Sequence, residues 1–163
     1  MRREHGVYRE RTWAPAWVWV LIWGACLAVA GATIYAAGRD PMSTTALVLT
    51  LGAVLFFPLL MSALFLCLDV EVRADQLFIA FGPLHFVRKR IAYRDMESAE
   101  PVTYSPLREF GGWGIRPTGG KTAWTIRGNR AVRVVLRSRK QIYVGSRFPQ
   151  RLASRIEPRL GRG

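Results

Sequence analysis

The chain has 163 residues, 50% of them hydrophobic and 21% charged, with 24 Lys+Arg against 11 Asp+Glu and a formal net charge of +13. That hydrophobic content excludes a disordered chain, and two cysteines exclude a disulfide scaffold or a four-thiolate metal module. The charge alone suggests a nucleic-acid binder, but a mean hydropathy of +0.11 is too apolar for one, and neither a recognition helix nor a base-stacking motif is visible.

The first twelve residues hold Arg2, Arg3, Arg9 and Arg11 and read as a basic tail. Residues 13–37 then run 25 positions without a charge, and residues 41–68 run 28 more. A bilayer core of roughly 30 Å needs about 20 helical residues, and backbone in hydrocarbon must satisfy its own hydrogen bonds. Residues 13–68 are therefore expected to form a transmembrane helical hairpin, with helices at 13–37 and 44–67. Gly38, Arg39 and Asp40 make the turn, and residues 42–44 lie at the surface. A cleaved signal peptide is the rival for the first run, but its apolar region is usually about 7 to 15 residues.

Gly24, Ala28, Ala32 and Ala36 recur every four residues and form the expected packing face toward the second span, or toward another copy. Pro58 removes a backbone donor and should kink the second helix. Cys26 and Cys67 fall within or at the edge of the spans and read as small apolar residues. Net charge is +2 over residues 1–12, zero in the connecting turn and +11 over residues 69–163. Cytoplasmic segments carry the excess of Lys and Arg, so both termini are expected in the cytoplasm. Trp13 and Trp17 suit the inner aromatic belt, and Tyr35 the outer interface.

From Leu68 the pattern alternates. Leu68, Val70 and Val72 share one face, and Asp69, Glu71 and Arg73 the other. A loop of Arg73, Ala74, Asp75 and Gln76 keeps Val72 and Leu77 on one face, followed by Ile79 and Phe81. Gly82-Pro83 breaks the run, and residues 85–91 form another strand with a basic outward side. Residues 92–99 and 101–104 are ambiguous. Later, a three-residue turn of Gly128, Asn129 and Arg130 pairs Ile126 with Val132 and Trp124 with Val134. A second three-residue turn, Ser138 to Lys140, aligns Leu136 with Ile142. This predicts an antiparallel meander. Phe148, Leu152, Ile156 and Leu160 then predict an amphipathic helix over about 148–160, flanked by Arg147, Arg151, Arg155 and Arg159 and shortened or kinked at Pro158.

Two membrane helices, six or seven short strands and a terminal helix resemble the small bacterial membrane proteins that carry a pleckstrin-homology-like domain. The residues that carry the resemblance are Val70-Glu71-Val72 with Leu77, the run Phe110-Gly111-Gly112-Trp113-Gly114-Ile115-Arg116, and Val144-Gly145-Ser146 leading into Phe148-Pro149. The resemblance implies a membrane-anchored α+β protein: an antiparallel β-barrel or curved sheet over residues 69–163, capped by the C-terminal helix. It also implies the bacterial inner membrane as location. The phosphoinositide signature of the eukaryotic relatives has no counterpart, so no lipid specificity carries over.

Three glycines in residues 111–114 permit a bulge or corner. Trp113 there either fills the core at a barrel corner, the preferred reading, or stands with Arg116 at a loop tip that dips into the membrane interface or grips a partner. Gly120-Lys121-Thr122 resembles the end of a phosphate-binding loop, but Ile115 occupies the position of the required first glycine. Basic clusters stand at Arg88, Lys89, Arg90 and Arg94, and at Arg137, Arg139 and Lys140. Each such residue near an anionic leaflet gains about 1 kcal/mol, although a solvated positive face is an equal account. His5, His85, Glu97 and Glu100 make no catalytic constellation, and no metal or cofactor is implied. The expected role is binding or scaffolding at the cytoplasmic leaflet, with membrane lipids, anionic ones above all, as partners. A membrane-protein partner, as in an accessory subunit, or a second copy is the alternative, and no nucleic acid is expected.

Overall fold

A computed structural model of the chain describes residues 8–40 and 43–160. Arg2, Arg3 and His5 of the expected tail, Pro41 and Met42 of the connecting turn, and residues 161–163 lie outside the described residues.

The first described element is a strand, β1 (Tyr8–Trp13), where the basic tail was expected. Two helices of 22 residues follow, α1 (Ala16–Ala37) and α2 (Thr44–Phe65), each long and apolar enough to cross a membrane. At 1.5 Å per residue each is about 33 Å long. Ser43 caps α2 by accepting from the Ala46 N–H. Pro58 sits inside α2 without ending it and is the one residue of that helix that is fully covered.

The face that α1 turns inward is not the expected one. Gly24, Ala28, Ala32 and Ala36 are exposed, whereas Ile22, Cys26, Ala30 and Thr33 are shielded. Leu51, Val54, Pro58 and Met61 form the matching shielded stripe on α2. The small residues Cys26, Ala30 and Thr33, with Ile22, make this contact from α1, and Ala30 is its one buried residue, so the packing face is a different stripe from the expected one.

Four strands then form one sheet in the order β1–β2–β3–β4, all antiparallel, with β2 (Cys67–Val72), β3 (Gln76–Phe81) and β4 (Val87–Ala92). Cys67 thus begins a strand and is fully buried; it does not belong to the second span. Val72 pairs with Leu77, the register expected of the intervening turn. β4 starts at Val87, two residues later than the alternation indicated, because His85 adopts φ 53° in the turn before it.

The second sheet has the order β5–β8–β9–β7–β6. It contains β5 (Met96–Thr103), β6 (Gly114–Thr118), β7 (Lys121–Thr125), β8 (Arg130–Leu136) and β9 (Gln141–Gly145), with a short helix α3 (Pro106–Phe110) after β5. The expected meander fails here. β7 does not pair with β8; it pairs antiparallel with β6 and parallel with β9, which lies between β7 and β8. Trp124 therefore faces Val144 across the ladder, and Val132 faces Val144 from the other side. The alternation placed these side chains on the correct face, but a face has no preferred partner strand. The β8–β9 turn is three residues long, as expected, but it comprises Arg137, Ser138 and Arg139. Val134, not Leu136, is therefore opposite Ile142. Arg139 takes the left-handed position at φ 63°.

The two sheets do not close into a barrel. Their inner faces meet in one core containing Val70, Leu77, Ile79, Phe81, Val132 and Val144. The terminal helix α4 (Pro149–Ile156) packs on β5 and β8 and reaches β2, with a short 3₁₀ turn at Glu157–Arg159 where Pro158 ends it. Leu152 and Ile156 are fully buried, each worth about 2–3 kcal/mol of removed apolar surface. Phe148, expected in that stripe, is 46% exposed because it precedes the first helical turn. Tyr104, Phe110, Ala123, Ala131 and Tyr143 make a second, smaller cluster on the outer face of the second sheet.

Candidate functional site

Strand direction sorts the domain into two ends. β2 leaves α2 at Cys67, and β3 returns to the same place at Phe81. There the Ala14 N–H donates to the Leu66 carbonyl at 3.0 Å, and the Gly82 N–H to the Cys67 carbonyl at 2.8 Å. Gly82 has φ +72°, and a Cβ on it would collide with the Ala63 carbonyl and stand 2.7 Å from that of Leu64. The turn after β3 is thus wedged directly under the last turn of α2. It carries Leu84 and Phe86, which are 58% and 71% exposed.

The same helix-proximal end receives the glycine-rich segment. Gly111 caps α3 in the left-handed conformation, with its N–H bonded to the Leu107 carbonyl and that of Gly112 to Pro106. Phe110 is buried in the outer cluster, and the chain turns at Gly112. The corner is therefore real, but Trp113 does not fill the core. It is 40% exposed, and its Nε1 donates to the Gly128 carbonyl at 2.8 Å. Arg116 follows, with Nε donating to the Trp113 carbonyl at 3.2 Å. Gly119 and Gly120 form the two-residue turn between β6 and β7, both at positive φ, so the segment leading to Thr122 is a hairpin turn and holds no phosphate loop.

Between this end of the domain and the helices lies a cleft of about 1070 Å³. Its helix side includes Trp17, Trp19, Phe57 and Phe65, and its domain side Trp113, Ile115 and Ile126. Arg116 and Arg127 are the charged residues lining it, and neither has an acidic partner within 4.0 Å among the described residues.

The expected basic clusters are dispersed. Arg88 and Arg90 project from the outer face of the first sheet, whereas Lys89 is half-buried on the opposite side of β4. Arg94 lies in the short turn after β4, and Arg137, Arg139 and Lys140 in the β8–β9 turn. The Arg137 N–H bonds the Asp95 carbonyl, and the Tyr93 N–H that of Asp75. Both interactions belong to the end of the domain remote from α1 and α2. Of the candidates, the fold brings Trp113 and Arg116 to the cleft beside the helices and leaves Arg88, opposite Ala80, on the outer face of the same end. Arg127, Leu84 and Phe86 join them there, and sequence reasoning missed these three. Leu84 and Phe86 flanking His85 after Gly82-Pro83 were the available signal; nothing local marks Arg127.

A second unanticipated group is Asp69. It is fully buried on the outer face of the first sheet, where it takes two hydrogen bonds of 2.6 Å from Arg11, one of 3.2 Å from Arg9 and a 2.6 Å contact with His85 Nε2. Burial pushes its carboxyl up, but the bonds from Arg11, His85 and Arg9 outweigh that and hold it at about 2. Beside it Arg73 binds Glu71 at 2.7 Å and stacks 4.0 Å from the Phe78 ring. Two of the arginines that give the N-terminal segment its charge are thus neutralised within the sheet.

No protein-family model matches the chain, and no curated protein matches its sequence.

Proposed function

We propose that the protein is a membrane-anchored binding module of the pleckstrin-homology-like type, with α1 and α2 in the bacterial inner membrane and the sheet domain resting on the cytoplasmic leaflet. The observation that carries this reading is the Gly82–Phe86 turn. It is wedged beneath α2 and exposes Leu84 and Phe86 on the side of the domain from which both helices leave. Exposed apolar residues grouped in this way mark a membrane or partner contact. Trp113, Arg116 and Arg127 extend the same surface, an aromatic and basic composition suited to the headgroup layer. The pairing of β1 with β2 supports the segments before α1 and after α2 lying on one side of the bilayer, and the +11 of residues 69–163 supports the cytoplasm as that side.

The test is a spin label at Phe86→Cys in the full chain, reconstituted in vesicles with and without phosphatidylglycerol. The label should lie at headgroup or acyl depth, and deeper in anionic vesicles. A label fully in water in both would overturn the docking, and equal depth in both would remove the electrostatic part. A second reading, an accessory subunit of a membrane complex, is favoured by one observation: the stripe Gly24, Ala28, Ala32 and Ala36 is left exposed on α1, available to a helix from another chain.

A further inference from the structure

The cleft between helices and domain has a composition that neither a purely apolar nor a purely polar ligand would match. Its walls are large apolar side chains from α1 and α2, yet its lining includes Arg116 and Arg127, two cations with no acidic partner within 4.0 Å among the described residues. Trp19, in the wall, presents its ring to the cleft among Trp17, Phe57 and Phe65. At about 1070 Å³ the cleft is at the upper limit of ordinary ligand pockets, which run to about 1000 Å³.

We infer that this cleft holds one anionic phospholipid, its acyl chain lying along the Trp19, Phe57 and Phe65 wall and its phosphate between Arg116 and Arg127. The assignment rests on the membrane-docked reading above, because that reading sets the cleft at headgroup depth. Two physical demands select the ligand. An apolar wall continuous with helices that are apolar on every side is matched by hydrocarbon. Two guanidinium groups lining one cleft are matched by a phosphate, which such groups bind through charge-assisted hydrogen bonds.

The experiment uses the full chain in an uncharged detergent, where no bilayer is present, with phosphatidylglycerol or phosphatidylcholine added and retained lipid counted by native mass spectrometry. The expected result is one phosphatidylglycerol held per chain. Retention should fall about tenfold in the double variant Arg116→Gln, Arg127→Gln, both positions being exposed and tolerant of the change. Ala16→Trp, which narrows the cleft from the first turn of α1, should reduce retention of either lipid. Equal retention of the two lipids, or retention unchanged by the double variant, would overturn the inference. A chain that docks in vesicles yet retains no lipid in detergent would sink the site alone, whereas a Phe86 label left in water would sink the docked reading itself.

Discussion

Glu10, on the strand that precedes the first helix, accepts a 2.7 Å hydrogen bond from Ser146 Oγ, 136 residues later. The same carboxylate accepts from the Arg147 N–H and from Tyr8 Oη, while Ser146 Oγ accepts from the Phe148 N–H that opens α4. Glu10 is buried, so the two sheets are joined through a polar node that the short segment before α1 completes. The sheet domain is therefore discontinuous, built from residues 8–13 together with residues 67–160.

Removing that node should be costly. Ser146→Ala is expected to lower stability by about 1 kcal/mol, and Glu10→Ala by about 2–3 kcal/mol because it leaves buried donors unsatisfied. Thermal unfolding of the full chain in detergent measures both. A fragment of residues 69–163 lacks β1, the partner of β2, and should show no cooperative melt; a sharp transition in that fragment would contradict the discontinuous domain.

The Asp69 cluster predicts a pH response. A carboxyl held at about 2, against 3.8 ordinarily, contributes stability that is complete above the unfolded value and drains as pH falls toward the folded one. The stability difference between wild type and Asp69→Asn should be constant from neutral pH down to about 5, then shrink by about 2 kcal/mol between about pH 4 and 2. At pH 7 the variant should be less stable by about 3 kcal/mol, because Arg9, Arg11 and His85 lose their shared anion. Denaturant titration across the pH series checks both; a difference that does not shrink in acid would show that the carboxylate contributes no pH-dependent stability.

Gly82 is the hinge of the helix–domain contact. Gly82→Ala combines a left-handed backbone with collision against the Ala63 carbonyl, so a loss of about 2 kcal/mol or more is expected. Gly52→Ala is the control: its added methyl meets nothing within 4 Å on α2 and should be neutral or stabilising by up to about 1 kcal/mol. Melting temperatures of the two variants should move in opposite directions or differ clearly in size.

The exposed small-residue stripe gives a separate test of the subunit reading. Crosslinking in intact membranes should capture a stoichiometric partner or a second copy, and Ala28→Ile should abolish that product without lowering the melting temperature, since Ala28 does not face α2. A crosslinked product that survives the substitution would remove the stripe from the interface.

Local order was legible wherever neighbours in sequence settle it. The uncharged run is helical from Ala16 to Ala37, with Trp13 at its start taken into β1, the Val72–Leu77 turn sets its own register, and Leu152 with Ile156 define a buried helical face. The face of each strand around Trp124 and Val132 was equally readable, because alternation depends only on adjacent residues.

What the tertiary structure decided is every choice between partners distant in sequence. The polar alternation of residues 69–73 predicts a solvated Asp69, yet Arg9 and Arg11 arrive on β1 to bury it. Residues 13–37 contain both the stripe Gly24, Ala28, Ala32 and Ala36 and the stripe Ile22, Cys26, Ala30 and Thr33, and packing against α2 selected the second. Insertion of β9 between β7 and β8 pairs both edges of Val144's strand, a gain that no local pattern at Gly128 can register. The sequence alone thus determined that this is a basic domain tied to two membrane-length helices. Which arginines meet those helices was decided only by folding, because hydrophobic periodicity specifies a face and only burial across the whole chain specifies what covers it.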